Sequence, residues 1–295
     1  MIEARVPVPF APTLATRDSL GTDLHRLGLT TGDTVLLHSS LRSLGFVVGG
    51  VVAVVHALLD VLGPEGTLVV PTMTADNCDP SRWAAPGKSA VPQAWWPTIR
   101  EHLPAFDAER TPSVMMGAIA EAVRNWPGAI RSAHAQSSLT ALGPAAARLT
   151  ADHRLDCHLG PNSPLGRLAA DDRARILLLG VGYDVCTAFH LGEYRWSGND
   201  LRDYECVIAE AGRRRWYRYR DVRLNDSDFG RLGAALDAEA DRHSVRRGLV
   251  AAADCRLLPF TTAVDFATTW FELNRPSRPL HGPPQSPPQS PPENA

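Results

Sequence analysis

The hydrophobic pattern of this chain switches repeatedly between two periods, and no other feature restricts its fold as much. Helical spacing in "DSLGTDLHRLGL" gives way to the continuous apolar run "DTVLLH", returns in "GGVVAVVHALLDVLG", and yields again to "GTLVVPT". A strand that is apolar at every position is buried on both faces, so helices must cover it from two sides. The alternation resumes with "MMGAIAEAVRNW" as a helix, "RILLLGVG" as a strand and "CTAFHLGEYRW" as a helix. It ends with "DFGRLGAALDAEADRH", "GLVAAADCRLL" and "TTAVDFATTWFEL" as helix, strand and helix. Between these, "ECVIAE" and "RRRWYRYRDVRL" read as an antiparallel pair joined through Ala211 and Gly212, which makes the expected sheet mixed. The expected class is α/β: a three-layer α/β/α sandwich around a mixed, largely parallel sheet.

No linker-like break interrupts the pattern from about residue 16 to 274, which predicts a single domain over residues 1–275. The remaining residues, 276–295, are "PSRPLHGPPQSPPQSPPENA", too poor in apolar side chains to offset the entropy of ordering, and are expected to be a disordered tail. One long stretch, "TMTADNCDPSRWAAPGKSAVPQAWWPTIREHLPAFDAERTPS" at 72–113, stands apart from the periodic segments. A connection of this length inside a compact domain is either functional or disordered, and its aromatic residues argue against disorder. Its acidic residues Asp76, Asp79, Asp107 and Glu109 are placed to face a cationic ligand; a solvated lid without a ligand role is the alternative.

Charge and cysteine usage exclude some partners. A formal net charge of −2 gives no general attraction to nucleic acid or to an anionic membrane, so a charged ligand has to be met by a local site. The five cysteines are odd in number and lack C-x-x-C spacing, which suits neither a disulfide framework nor a zinc ribbon and points to a reducing compartment. The N-terminal residues lack a basic segment followed by an apolar one, and the most apolar stretch, "VVAVVHALLDVLG", is interrupted by His56 and Asp60. The expectation is a cytoplasmic protein with no membrane partner.

Two strand ends carry candidate chemistry. His190 and Glu193 are three residues apart on a predicted helix, so they share a face, and a carboxylate beside an imidazole fixes its tautomer and favours its protonated form. In isolation the spacing also describes a helix surface. Its place after "RILLLGVG" matters because ligands in open α/β sheets gather beyond the carboxyl ends of strands. His38 ends "DTVLLH" and is followed by Ser39, Ser40, Leu41, Arg42 and the glycine-rich "GFVVGG", a combination suited to a phosphate or amide-rich cofactor or, more simply, to a helix cap. Gly180 and Gly182 suggest a dinucleotide fingerprint, but Val185 stands where its third glycine would be. "DHRLDCH" at 152–158 matches no zinc spacing and reads as an exposed polar loop, so no metal is expected. "GRRRWYRYR" at 212–220 interleaves five arginines with Trp216, Tyr217 and Tyr219, as either a nucleic-acid surface or a charged hairpin whose aromatics pack under arginine stems. Nothing else in the chain extends a basic field, and no nucleic-acid partner is expected.

Taken in order, "GLTTGDTVLLHSSLRSLGFVVGG", "GPEGTLVVPTMTADNCDPSRW", "FDAERTPSVMMGAIAEAVRNWPGAIRSAHAQSSLTALGP", "GPNSPLGRL" and "RILLLGVGYDVCTAFHLGEYR" resemble the aminoglycoside 3-N-acetyltransferase family, with a weaker likeness through "DFGRLGAALDA". The resemblance spans roughly residues 16–274 and implies an acetyl-CoA-dependent α/β/α enzyme distinct from the GNAT acetyltransferases. It implies that His38, also a catalytic candidate, and Ser39, Ser40 and Leu41 lie along the pantetheine arm of coenzyme A, that Thr72 stands near the thioester, where it or nearby backbone N–H groups would stabilise the oxyanion, and that Ser163, Pro164 and Leu165 help form the cofactor tunnel. His190 would be the base closest to the acceptor amine, oriented by Glu193, with Asp76, Asp79 and Asp107 facing a cationic sugar. Direct transfer is the simpler route, with Cys186 as the candidate for an acyl-enzyme. The chain departs from the family where His134 is followed by Ala135 instead of proline, which leaves the role of His134 open. The reading implied is acetylation of the 3-amino group of a 2-deoxystreptamine aminoglycoside. The alternatives are acylation of another amine by the same fold, a noncatalytic binding module, or nucleic-acid binding through the arginine-rich hairpin.

Overall fold

The computed structural model describes residues 13–83 and 91–276, so that all but the first residue of the expected disordered tail lies outside the described residues. The first half carries β1 (Leu14–Ala15), α1 (Arg17–Leu27), β2 (Thr34–Ser39), β3 (Phe46–Val47), α2 (Gly50–Leu62), β4 (Thr67–Pro71), α3 (Trp96–His102), α4 (Gly117–Arg124), β5 (Ile130–Arg131) and β6 (Leu139–Leu142). The second half carries α5 (Ala146–Thr150), α6 (Pro164–Leu168), β7 (Ala174–Leu179), α7 (Ala188–Arg195), β8 (Leu201–Glu210), β9 (Arg213–Val222), α8 (Phe229–Ala238), β10 (Arg246–Val250), β11 (Ala253–Pro259) and α9 (Phe260–Asn274).

The main sheet has seven strands in the order β10-β11-β7-β2-β4-β6-β5. It is mixed but not largely parallel as expected: only the β7-β2 and β2-β4 pairings are parallel, and the other four, which add β11 and β10 on one side and β6 and β5 on the other, are antiparallel. The continuous apolar runs explain why the central strands are covered twice. Val35, Leu37, Leu68, Val70, Leu177 and Leu179 point into one core with α1, α2 and α4. Leu36, Val69, Ile176 and Leu178 alternate into the other with α5 to α9. Each such side chain contributes about 1.5–3 kcal/mol on burial, so both helical layers are held by the same three strands.

Three further sequence expectations are corrected. The hairpin β8-β9 does not join the main sheet; it forms its own two-stranded sheet, with Tyr204, Cys206 and Tyr219 packed against Ala135. Its turn is where the sequence puts it, with positive φ at both Ala211 and Gly212 as a type I′ turn requires. "GLVAAADCRLL" is two strands rather than one, β10 and β11, which reverse at Ala251 and Ala252 with Ala251 at φ 50°. The stretch 72–113 is not a bare loop, because it contains α3 and short 3-10 turns at Pro80–Arg82 and Gln93–Trp95.

Candidate active site

β2 and β7 are parallel neighbours with His38 opposite Leu178, so the chain leaves both strands at one edge of the sheet. From β2 it runs into a 3-10 turn; from β7 it runs through Tyr183–Val185 into α7. The two meet where the Thr187 hydroxyl lies 3.2 Å from His38 Nε2. His38 is buried, and burial together with the neighbouring His190 lowers its pKa to about 3, so its ring is neutral at physiological pH.

His190 is one helical turn further along, and the predicted pairing is present: Nδ1 lies 2.6 Å from Glu193 Oε2. The other Glu193 oxygen accepts from Arg275 Nη1 at 2.5 Å and from the backbone N–H of Asn225 at 3.0 Å. Arg275 is itself held by Asp228 at 2.6 Å and lies 3.8 Å over the Phe271 ring. Glu193 is only 1% exposed, and burying a carboxylate is costly unless such a set of partners compensates it. α7 can approach α9 because residue 192 is glycine: a Cβ there would lie 3.0 Å from that of Ala267. With Nδ1–H donated to Glu193, Nε2 is left with its lone pair, the form a proton acceptor needs.

His190 opens onto a cavity of about 270 Å³, whose walls include Met73, Gln136, Ser137, His158, Tyr204 and Leu224. Several of these were not found from the sequence. "DHRLDCH" is not an exposed loop: His153 and His158 are 5% and 4% exposed. His158 bridges the Ser137 hydroxyl at 2.6 Å and the Tyr219 hydroxyl at 2.8 Å, and Tyr219 also donates to Gln136. Asp221 accepts from His158 N–H at 2.7 Å and from the Tyr194 hydroxyl at 2.5 Å. Burial lowers the pKa of His153 to about 4 and that of His158 to about 3, the latter with help from the neighbouring His153, Arg202 and His190. His134, whose role the sequence left open, accepts the backbone N–H groups of Gln136 and Ser137 at 3.1 and 3.0 Å and so shapes the turn that presents both to the cavity.

Other expected site residues are placed differently. The Thr72 hydroxyl is fully buried and bonded to Thr140 and Ser138. Ser163 caps α6, accepting from Leu165 N–H at 3.2 Å and donating to Gly160 O at 2.7 Å, while Leu165 lies in the core and Pro164 is buried. Ser40 caps the 3-10 turn that begins at Leu41, and Leu41 packs on the α1, α2 and α4 side; together with the half-buried Ser39 they stand at the strand edge, off the wall of the His190 cavity. Asp79 accepts two hydrogen bonds from Arg100, which holds its carboxyl well below the usual range. Asp107 is taken by Arg110 at 2.7 Å, and Asp76 is exposed. Cys186 is fully buried with its thiol pushed up to about 12 by burial, a poor setting for an acyl-enzyme. Among the described residues no group of three His, Cys, Asp or Glu is arranged to hold a metal ion.

The model of a protein family described as aminoglycoside 3-N-acetyltransferase matches residues 36–272. The chain belongs to that family. Members of the aminoglycoside 3-N-acetyltransferase family are acyltransferases, and several curated members align over most of the chain. The aminoglycoside N(3′)-acetyltransferase-like protein YokD of Bacillus subtilis is 41% identical, with 87% of this chain and 92% of that protein covered. The YokD crystal structure superposes with a TM-score of 0.85 over 90% of this chain and 96% of that one, at 40% identity. Aminoglycoside N(3)-acetyltransferase IX of Micromonospora chalcea is 36% identical over 87% of this chain and 93% of its own length. A solved structure described as AAC-IIIb in a binary complex with CoASH has a TM-score of 0.77 and 30% identity, covering 90% of this chain and all of that one. Among the described residues no helix is long and apolar enough to cross a membrane.

Proposed function

We propose that this chain is an acetyl-CoA-dependent N-acetyltransferase in which His190 is the general base for the acceptor amine. The observation that carries this reading is the chain of contacts His190, Glu193, Arg275, which occupies Nδ1 of a ring that lines a cavity large enough for an amino sugar. Transfer forms the C–N bond and breaks the thioester C–S bond. The proton leaving nitrogen passes to His190 Nε2 and from there to the departing thiolate, so the products are an amide and free CoA. Glu193 stabilises the imidazolium between those two events. General-base assistance of this kind is worth ~10²- to 10⁴-fold. We assign the pantetheine arm to the edge at His38, Ser39, Ser40 and Leu41, which flanks α7 away from the cavity wall.

Family membership supports the 3-amino group of a 2-deoxystreptamine aminoglycoside as acceptor. A second reading, an amine of different chemistry, is favoured by the engagement of Asp79 and Asp107 with Arg100 and Arg110. The test is release of free thiol from acetyl-CoA in the presence of a panel of amines. Turnover of at least one amine, lost on His190→Ala with the fold intact, is expected. A panel without turnover, or an undiminished variant, overturns the proposal.

A further inference from the structure

Beside the His190 cavity runs a groove of about 720 Å³ lined by Ser81, Arg82, Arg202, Asp203, Arg220 and Arg223, together with Leu201. Arg82 and Arg202 also line the His190 cavity, so the two spaces adjoin. The groove is strongly basic. Arg223 pairs with Asp200 at 3.2 Å, whereas Arg220, the cross-strand neighbour of Asp203 in the hairpin, forms no ion pair among the described residues. Arg82 and Arg202 likewise have no carboxylate partner among the described residues, and Glu205, the acidic residue of the cavity wall, is paired with Arg218 at 3.2 Å.

Both of these arginines are also held in position. Arg82 donates to the backbone carbonyl of Asp203 at 2.9 Å, which fixes the guanidinium without neutralising it. Arg202 lies 4.4 Å over the Tyr204 ring, and its Nε is a buried donor with no acceptor. Arginine presents its donors in the planar fork that suits phosphate and carboxylate oxygens, and the terminal guanidinium nitrogens of Arg82 and Arg202 have no carboxylate among the described residues to take them up. A polycation approaching the same mouth meets repulsion instead.

We propose that this groove is a subsite for an oxyanion, phosphate or carboxylate, carried by the acceptor itself, so that the physiological acceptor is an amine bearing an acidic group. This rests on the acetyl-transfer reading for the role of the neighbouring cavity, and it separates this chain's acceptor from polycationic sugars. The amine enters the His190 cavity while its acidic group reaches Arg82, Arg202 and Arg220.

Calorimetric titration of the full chain at low salt with glucosamine 6-phosphate, glucosamine and neamine tests it. Glucosamine 6-phosphate is expected to bind about tenfold or more tightly than glucosamine, with neamine weakest. The triple variant Arg82→Gln, Arg202→Gln, Arg220→Gln is expected to bring the two amino sugars within about twofold. Exposed Arg220→Gln alone, which leaves the Tyr204 stack untouched, is expected to close part of the gap. Neamine or glucosamine binding as tightly as the phosphate ester overturns the subsite, as does an unaffected triple variant. CoA and dephospho-CoA identify the source of the oxyanion: a triple variant that weakens CoA as much as glucosamine 6-phosphate would give the groove to the donor's phosphates and overturn the assignment to the acceptor. Acetyl transfer to neutral amines with no phosphate preference removes the subsite and leaves the acetyltransferase reading. Phosphate preference without transfer to any amine does the reverse.

Discussion

Two sets of histidines meet at one cavity, and they are built on opposite principles. His190 has a buried carboxylate on Nδ1, and that carboxylate has an arginine behind it. His158, on the same cavity, is bonded to neutral hydroxyls at both ring nitrogens, and behind it His134 and His153 lie with ring centroids 4.7 to 4.8 Å apart from their neighbours in the cluster. The carboxylate is what distinguishes the two settings. Dehydration without a countercharge drives the pKa of His153 and His158 down, and neither ring has a carboxylate at its nitrogens, whereas the His190 ring has Glu193. The geometry therefore separates proton transfer, at α7, from the shaping of the pocket, at the turn 134–137 and the hairpin.

The sharpest way to break this division is to remove the base. His190→Ala should lower kcat by ~10²- to 10⁴-fold with the thermal midpoint little changed, whereas His153→Ala should lose stability first. Steady-state kinetics beside thermal melts separates the two. A comparable kcat loss on both substitutions would abolish the distinction.

Next in size is the support of Glu193. Arg275→Ala leaves a carboxylate that is 1% exposed without its guanidinium partner, and breaking a buried pair from one side costs about 3–5 kcal/mol. The expected outcome is a large fall in denaturation midpoint together with reduced kcat. Full stability in this variant would show that Asn225 N–H and His190 are together sufficient to hold the carboxylate.

The buried cluster has its own signature in pH. Its histidines have folded-state pKa values of about 3 and 4, below the ordinary 6.5, so between these limits the unfolded chain binds more protons than the folded one. Their contribution is fully present above about pH 6.5 and is lost as the pH falls toward 4 and 3, at up to about 1.4 kcal/mol per pH unit for each ring. Chemical denaturation between pH 7 and 5 should show a falling stability that is flatter in His153→Gln. An equal slope in the variant would place the acid sensitivity elsewhere.

How much of this was legible in the sequence follows the reach of each interaction. β2, β4 and β7 announce themselves because complete burial requires unbroken apolar runs. His190 and Glu193 are legible because their partnership is local and follows a strand end. β5, β6, α5 and α6 are two to five residues long, too short to complete a recognisable period. The β10-β11 turn was hidden because Ala251 takes a conformation that ordinarily signals itself by glycine or asparagine. Arg275 meets Glu193 across 82 residues and Tyr219 meets His158 across 61, and no local spacing records either. Thr72 and Ser163 show the converse: hydroxyls at strand and helix ends are as useful for capping and for pairing as for chemistry, and both have partners that the sequence does not announce.

The smallest expected effect tests the cluster at its most exposed link. A consistent set of protons runs from the Ser137 hydroxyl to His158 Nδ1, from His158 Nε2–H to the Tyr219 oxygen, and from the Tyr219 hydroxyl to Gln136 Oε1. Gln136 completes it by donating to the backbone oxygens of Asn77 at 2.8 Å and Glu205 at 3.2 Å. Tyr219→Phe keeps the ring and its stacking on Tyr204 but leaves two buried polar atoms without a partner, a cost of about 1–3 kcal/mol. Because Gln136 and His158 stand on the cavity wall, the loosened chain should raise KM for the acceptor several-fold while kcat stays within about threefold of the parent, the pattern of lost binding rather than lost proton transfer. If kcat falls instead and KM does not move, the hydroxyl chain is delivering protons to the reaction, and His158 then belongs with His190 despite lacking a carboxylate.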